Sequence, residues 1–336
     1  MFSTKPNVWR KYDWTKVTTI AVFRPWDDEL MCEAHKRGVR VVLSADFPTE
    51  KLSSKEIRTK WIKNLTQEAL AHHADGVNID IESPIAKGSI EVALLSELVN
   101  DTATAFHSAI NNSQVSFDVT WSPDCIAGRC YDFEALSKSV DFLVVMAYDE
   151  QIQIPGECIA KANSPLKQTK AGIGEYLALG IRPEKLVLGL PWYGYDYPCL
   201  KLNGNICSCS VKCVQRVLFR GVNCNDAADR QIAYADIQDL VVSRETKPQW
   251  DDDSVSYFFN YEDSVGGKHQ VWFDDVDSLK QKYEFASNLN GVAIWNSDLL
   301  DYSDIDRAKA ERPKQCGMLA TLACTGTPSS KFFLIH

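Results

Sequence analysis

Seven short apolar runs separated by helical patterns constrain what this chain can become. They are Val17 to Phe23, Val39 to Phe47, Asp75 to Glu82, Val115 to Trp121, Phe142 to Tyr148, Leu186 to Trp192 and Val292 to Trp295. Between the second and third runs, Ser53-Ser54-Lys55-Glu56 has the form of a capping box. Behind it Ile57, Trp61 and Leu65 recur four apart, on one helical face. Leu94, Leu95, Leu98, Thr102 and Phe106 repeat the pattern, and a further helix over Ser164 to Leu179 is stopped by Gly180 and Pro183. Strand and helix in alternation predict a parallel sheet wrapped by helices. A chain of 336 residues, 45% hydrophobic, suits one α/β barrel with an insertion.

The third run is the informative one. After Gly76, Val77, Ile79 and Ile81 alternate with Asn78, Asp80 and Glu82. Successive side chains of a strand point to opposite faces, so two carboxylates and an amide stand in a row. A strand with one solvated face would give the same alternation. The long helical patterns on either side favour a strand covered on both faces, where such a row is costly without a purpose. A calcium loop is the other reading; the glycine is misplaced for it and turn residues are lacking.

The segment Asp75-Gly76-Val77-Asn78-Ile79-Asp80-Ile81-Glu82 resembles the D-x-x-D-x-D-x-E signature of glycoside hydrolase family 18, the chitinase family, with Asn78 where most members carry aspartate. The segments QVSFDVTWSP, DFLVVMAYDEQ, LVLGLPWYGYDY, QVWFDD and GVAIWN extend the resemblance from about Trp9 to Ser303. It implies a TIM-type (β/α)8 catalytic barrel over residues 9–310. Only seven barrel strands are found, and the chain has no room for the family's strand before NVWRKYDW. The barrel is therefore expected to lack its first strand. Between about residues 198 and 270 the pattern breaks into a cysteine-rich stretch, a helical run near Ile232 to Val242 and short strands near Ser254 to Tyr261. This predicts a small α+β insertion before the last strand. Residues 311–336, where Pro313 interrupts a starting helix, are expected to form a disordered tail.

The resemblance also implies roles. Glu82 matches the proton donor, and Asp80 the group that orients the substrate's acetamido N–H. Asp75 and Asn78 match supports for Asp80. Tyr148 matches the residue that positions the acetamido oxygen, with Met146 beside it and Asp149 on a sugar hydroxyl. Trp295 matches the apolar floor under the sugar, and Trp121, Trp192, Tyr193 and Tyr195 are further candidate contacts. The family is an exception to the two-carboxylate scheme, since the substrate's own amide acts as nucleophile. The implied partner is an N-acetylglucosamine oligosaccharide, cut at the β-1,4 bond of the chitobiose core of asparagine-linked chains, from the reducing end, in lysosomal glycoprotein breakdown. An endo-acting chitinase, a non-catalytic sugar-binding module and an inactive truncated variant are the competing readings. Retention of Glu82 speaks against the binding module.

Composition bounds the remainder. Net charge is −9 with pI near 5.3 and no basic run, which argues against a nucleic-acid partner. No apolar run is long enough to cross a bilayer. The expected state is a monomer, without cofactor or metal. Of the 11 cysteines, Cys158, Cys199, Cys207, Cys209, Cys213 and Cys224 crowd the middle, and Cys125 and Cys130 lie five apart. Zinc is conceivable at Cys207, Cys209 and Cys213, but no histidine has matching spacing; disulfides and an oxidising compartment are favoured. The odd total leaves at least one thiol unpaired within the chain. Sequons at Asn64, Asn100 and Asn111 agree, each beside a predicted outer helix. The N-terminus, MFSTKPNVWRKYDWTK, does not have the form of a secretory signal.

Overall fold

The computed structural model describes residues 8–23, 25–150, 158–209, 211–212, 226–227, 229–303, 305–312, 314 and 331–335. Six parallel barrel strands come first: β1 (Thr19–Val22), β2 (Arg40–Ala45), β3 (Gly76–Ile79), β4 (Gln114–Thr120), β5 (Phe142–Met146) and β6 (Leu186–Pro191). Helices α1 (Asp28–Lys36), α2 (Lys55–Ala71), α3 (Ile90–Ala109), α4 (Phe133–Ser139) and α5 (Leu166–Ala178) alternate with them. Their starts are chemically marked. Asp27, Ser54 and Asp132 each accept backbone N–H bonds at a helix N-terminus, satisfying donors that have no partner within the helix.

The chain leaves β6 directly into the insertion, which spans Tyr193 to Phe273 and is a few residues wider than the sequence suggested. β7 (Tyr193–Asn203) pairs antiparallel with β8 (Ile206–Cys209), β11 (Arg230–Ala233) and β14 (Lys268–Phe273). β9 (Val211–Lys212) and β10 (Asp226–Ala227) pair with each other. Helix α6 (Tyr234–Ser243) follows β11, and β12 (Gln249–Asp251) and β13 (Ser256–Glu262) complete the sheet. The chain then returns through α7 (Val276–Ala286) to β15 (Gly291–Trp295).

The barrel is closed. Its order is β1-β16-β15-β6-β5-β4-β3-β2, and β16 is Lys331–Ile335. This strand runs parallel to both neighbours, with Thr19 opposite Phe333 and Gly291 opposite Lys331. Lys331–Ile335 thus lies between β1 and β15 and completes the ring of strands. The (β/α)8 barrel expected from the sequence is found, and within the stretch expected to be a tail Lys331–Ile335 forms a strand. Residues 315–330 lie outside the described residues.

The apolar faces of strands and helices meet in one core that includes Ile20, Val41, Val77, Val115, Leu143, Leu188 and Val292. One glycine is dictated by sheet contact. Gly76 opens β3 with φ +150°, and a Cβ there would stand 1.9 Å from the carbonyl oxygen of Gln114 on β4. Any side chain would force β3 and β4 apart at the strand that carries Asn78 toward the site.

Among the described residues three disulfides are formed: Cys125–Cys130, Cys158–Cys209 and Cys199–Cys207. Cys207 and Cys209, the candidate zinc ligands, are therefore committed to sulfur–sulfur bonds. Cys32 is exposed and unpaired. Cys213, Cys224, Cys316 and Cys324 lie outside the described residues.

Candidate active site

Parallel barrels gather their functional side chains at the C-terminal ends of the strands. Here those ends surround a cavity of about 240 Å³. Asp80 and Glu82 enter it just past β3, and Asp118, Thr120 and Trp121 at the end of β4. Met146, Tyr148, Asp149 and Glu150 enter past β5, Trp295 from the last residue of β15, and Phe23 just past β1. The loop after β4 supplies Ile126, Ala127 and Arg129 as the remaining wall.

The acidic row is held from both sides. The Asp80 backbone N–H donates to the carbonyl of Ala45 at 2.8 Å, which continues the β2–β3 pairing one residue past the strand. Burial first, and then the nearby charge of Glu82, lift the Asp80 carboxyl to about 7; the Arg129 guanidinium opposes this. Glu82 is half-exposed and ion-paired to Arg129. The loop bearing Arg129 is pinned by the Cys125–Cys130 disulfide and by an Ile85 N–H bond to Gly128 O at 2.9 Å. Tyr131 donates to the carbonyl oxygens of Ile81 at 3.0 Å and Ser83 at 2.5 Å, fixing the backbone on either side of Glu82.

The aromatic wall is equally defined. Tyr148 and Trp295 stack with ring centroids 6.5 Å apart and planes 17° from parallel, and Phe23 meets Trp295 edge-on at 5.1 Å. Burial pushes the Tyr148 phenol well above its ordinary range, so it stays a hydroxyl. Asp149 takes a left-handed φ of 57°. Its Oδ1 accepts the hydroxyls of Tyr193 and Tyr195, each at 2.6 Å. Its N–H donates to Asn163 Oδ1 at 2.7 Å, and the Asn163 amide donates on to the carbonyl of Tyr193 at 3.3 Å. Burial raises the Asp149 carboxyl, and the two tyrosine hydroxyls act against that rise.

The structure brings Asp80, Glu82, Met146, Tyr148, Asp149, Trp121 and Trp295 to one cavity, with Tyr193 and Tyr195 behind Asp149. It sets two candidates apart. Asp75 stands at the opposite end of β3, where its Oδ2 accepts from the Val41 N–H at 2.7 Å and meets His35 Nε2 at 2.8 Å. Its side chain also has the parity of Val77 and Ile79, away from the polar row, so it cannot support Asp80 directly. Trp192 is buried, and its indole N–H donates to Tyr283 O–H at 3.3 Å, clear of the cavity lining. Asn78 is buried within the row, but it bonds sideways, to Ser116 Oγ at 3.0 Å and Asp118 Oδ1 at 2.8 Å. Asn64, Asn100 and Asn111 are all exposed on the outer helical layer or its ends.

Sequence reasoning missed Asp118, Arg129 and Asn163. Asp118 had a signal: Ser116, Asp118 and Thr120 alternate with Val115, Phe117 and Val119, the same period-two pattern as β3. Arg129 lies between the paired cysteines of a short loop, which marks constraint without marking contact. Nothing in the sequence singles out Asn163.

The profile of the glycosyl hydrolases family 18 matches residues 6–299. This chain belongs to that family. It is 44% identical to the di-N-acetylchitobiase of Rattus norvegicus over 322 residues, 95% of this chain and 86% of the rat protein. It is 42% identical to the di-N-acetylchitobiase of Homo sapiens, over 93% of this chain and 80% of the human protein. In fold it is similar to the chitinase of Chromobacterium violaceum, with a TM-score of 0.70 at 17% identity, covering 93% of each chain. It is likewise similar to a class V chitinase from Nicotiana tobaccum in complex with NAG4, with a TM-score of 0.69 at 18% identity over 92% of this chain and 95% of that one. The family is one of glycoside hydrolases, and the cavity at the strand ends with its acidic row and aromatic wall is this chain's candidate site for that chemistry.

Proposed function

We propose that this protein hydrolyses the β-1,4 bond between the two N-acetylglucosamine residues of the chitobiose core of asparagine-linked oligosaccharides, acting from the reducing end. The observation that carries this reading is that Glu82 and Asp80 line one cavity together with the stacked Tyr148–Trp295 pair. The resemblance to two named di-N-acetylchitobiases over most of their length supplies the substrate. The proposed setting is glycoprotein breakdown in the lysosome, with the exposed sequons carrying glycans.

The sugar on the non-reducing side of the bond lies over Trp295, whose ring packs against its C–H face. Asp80 accepts the acetamido N–H and turns the amide oxygen beneath the anomeric carbon. Tyr148 donates its hydroxyl to that oxygen and holds it there. Glu82 delivers its proton to the bridging oxygen, and the C–O bond breaks as the amide oxygen closes an oxazolinium ring. Water then attacks the anomeric carbon from the vacated face. Glu82 takes the water's proton, so the configuration is retained and the acid is regenerated. Asp149 binds a sugar hydroxyl, and Tyr193 and Tyr195 hold it in place.

The test is release of N-acetylglucosamine from a free, reducing chitobiose-type oligosaccharide. The native protein releases it, and Glu82→Gln lowers kcat by about a hundredfold to ten-thousandfold. Equal activity in the two proteins, or none in a folded native protein, removes the proposal. Cleavage inside long chitin chains, with no release from the short substrate, would assign the protein to the endo-acting class.

A further inference from the structure

Asp118 is a carboxyl that the scheme above leaves unused. It sits on β4, is 3% exposed, and reaches the same cavity as Asp80 and Glu82. The β3–β4 register runs Asn78 opposite Ser116 and Ile79 opposite Phe117, so Asp80 and Asp118 are next in line. Neighbouring strands lie about 4.8 Å apart, and both residues have the polar-face parity, so the two carboxyls are side by side.

The bonding around them is one-sided. Asn78 donates its amide to Asp118 Oδ1 at 2.8 Å and to Ser116 Oγ at 3.0 Å. Asp80 Oδ1 is buried with no hydrogen-bond partner among the described residues, and so is Asn78 Oδ1. Two ionised carboxylates in such a place would be strongly unfavourable, as in any close acid pair. One proton shared by the pair relieves the repulsion and gives the orphaned Asp80 oxygen a donor.

The surrounding charges decide where that proton rests. From β3 and just beyond it, Asp118 faces Asp80 and Glu82; from the end of β5 it faces the Tyr148 hydroxyl. Arg129 and Asp46 act on Asp80 rather than on Asp118. Burial, then the Asp80 charge, raise Asp118 well above the carboxylate range, while Asp80 has the cation nearby. The proton therefore stays on Asp118, at the oxygen that Asn78 does not occupy.

We propose that Asp118 is a positioning residue of the hydrolytic site: a neutral carboxylic acid, held by Asn78, that donates to Asp80 and leaves Asp80 alone to carry the charge that receives the acetamido N–H. Asn78, which has no titrating proton, serves as the fixed donor that selects which Asp118 oxygen is protonated. This rests on the proposed glycosidase reading for its role in turnover, but the protonation of Asp118 is independent of it.

The experiment compares Asp118→Asn and Asp118→Ala with the native protein in two readouts. In chitobiose hydrolysis, Asp118→Ala lowers kcat by about a hundredfold with KM little changed. Asp118→Asn, which restores a neutral donor, recovers most of that loss, to within about fivefold of native. In thermal melts, which need no turnover, Asp118 in the native protein holds a proton that it releases in the unfolded chain. Asp118→Asn therefore gains on the native protein as pH rises from about 5 to 8, by about 1–2 °C per pH unit. A pH-independent difference in melting temperature overturns the protonated state. An Asn variant as impaired as the Ala variant shows that an ionised carboxylate is needed, and an unimpaired Ala variant shows that no donor is; either overturns the positioning role. Absence of hydrolysis by the native protein would instead count against the glycosidase proposal, with the melts still deciding the proton.

Discussion

Arg129 reaches from its disulfide-pinned loop to ion-pair with Glu82, guanidinium Nη2 donating to Oε2. The arginine side chain is 15% exposed and the glutamate 50%. A half-exposed pair of this kind contributes little to stability, on the order of 0–1 kcal/mol. Its consequence is electrostatic and local: Arg129, the one cation in the cavity lining among the described residues, sits against the acid and acts on Asp80.

Removing that cation has a predictable sign. Arg129 lowers the Asp80 carboxyl, which burial and Glu82 otherwise raise to about 7. The proposed chemistry needs Asp80 ionised, so the acid limb of kcat/KM reports its titration in the free enzyme. Arg129→Met moves that limb to higher pH by about half a unit to one unit. In the complex the acetamido N–H stabilises ionised Asp80, so the acid limb of kcat lies at lower pH than that of kcat/KM in both proteins. A pH–rate profile unmoved by Arg129→Met, or moved to lower pH, contradicts the assignment.

Asp149 offers a test of substrate binding. Its Oδ1 takes two tyrosine hydroxyls at 2.6 Å, and each hydrogen bond to a charged group is worth about 1.5–3 kcal/mol. Tyr193→Phe with Tyr195→Phe leaves a buried carboxyl that is raised still further and is neutral over more of the pH range. KM for the oligosaccharide then rises about tenfold or more while kcat changes less. An unchanged KM means that Asp149 does not contact the sugar.

How much of this was readable follows from period and locality. Asp80 and Glu82 were legible because a two-residue repeat is written in adjacent letters. Asp118 obeys the same repeat, but its meaning is a cross-strand relationship set by the β3–β4 register, which one strand's sequence does not contain. Asp75 shows the reverse error. Signature proximity grouped it with Asp80, yet five residues of extended chain separate them by about 16 Å and by opposite parity. The eighth strand was hidden for a topological reason. Phe332 to Ile335 form only a short apolar run, and the slot they fill lies between the first strand and β15, a closure no local pattern announces.

Glu150 sets a pH dependence of stability that can be measured without substrate. It is buried, accepts from Thr169 Oγ1 at 2.7 Å, and leaves Oε2 with no partner among the described residues. Burial raises it to about 8, with Thr169 and the nearby Lys282 acting in the other direction. An unfolded glutamate titrates near 4.3, so between these values the folded chain binds the extra proton. Stability from this group is therefore present at low pH and is lost as pH rises toward 8, by up to about 1.4 kcal/mol per unit. Glu150→Gln removes the slope. Melting curves of native and variant protein should converge near pH 5 and separate by pH 8, the variant being favoured at the higher pH; parallel curves would mean that Glu150 is ionised in the fold.

The last prediction concerns closure of the barrel. β16 pairs with β1 over Thr19 to Ala21 and with β15 over Gly291 to Ile294. Ending the chain at Lys314 removes both ladders and leaves the edges of β1 and β15 as rows of unpaired N–H and C=O groups, which invite pairing between molecules. A loss of about 5 kcal/mol is the scale expected for these hydrogen bonds, equivalent to about 10 °C in Tm. The truncated protein should melt earlier, over a broader range, and associate at higher concentration. A synthetic peptide of residues 328–336 added in excess should raise its melting temperature, since a ligand that binds only the folded state stabilises it by mass action. If truncation leaves the melting curve where it was, residues 331–335 do not close the barrel in solution, and β1 and β15 must be satisfied in another way.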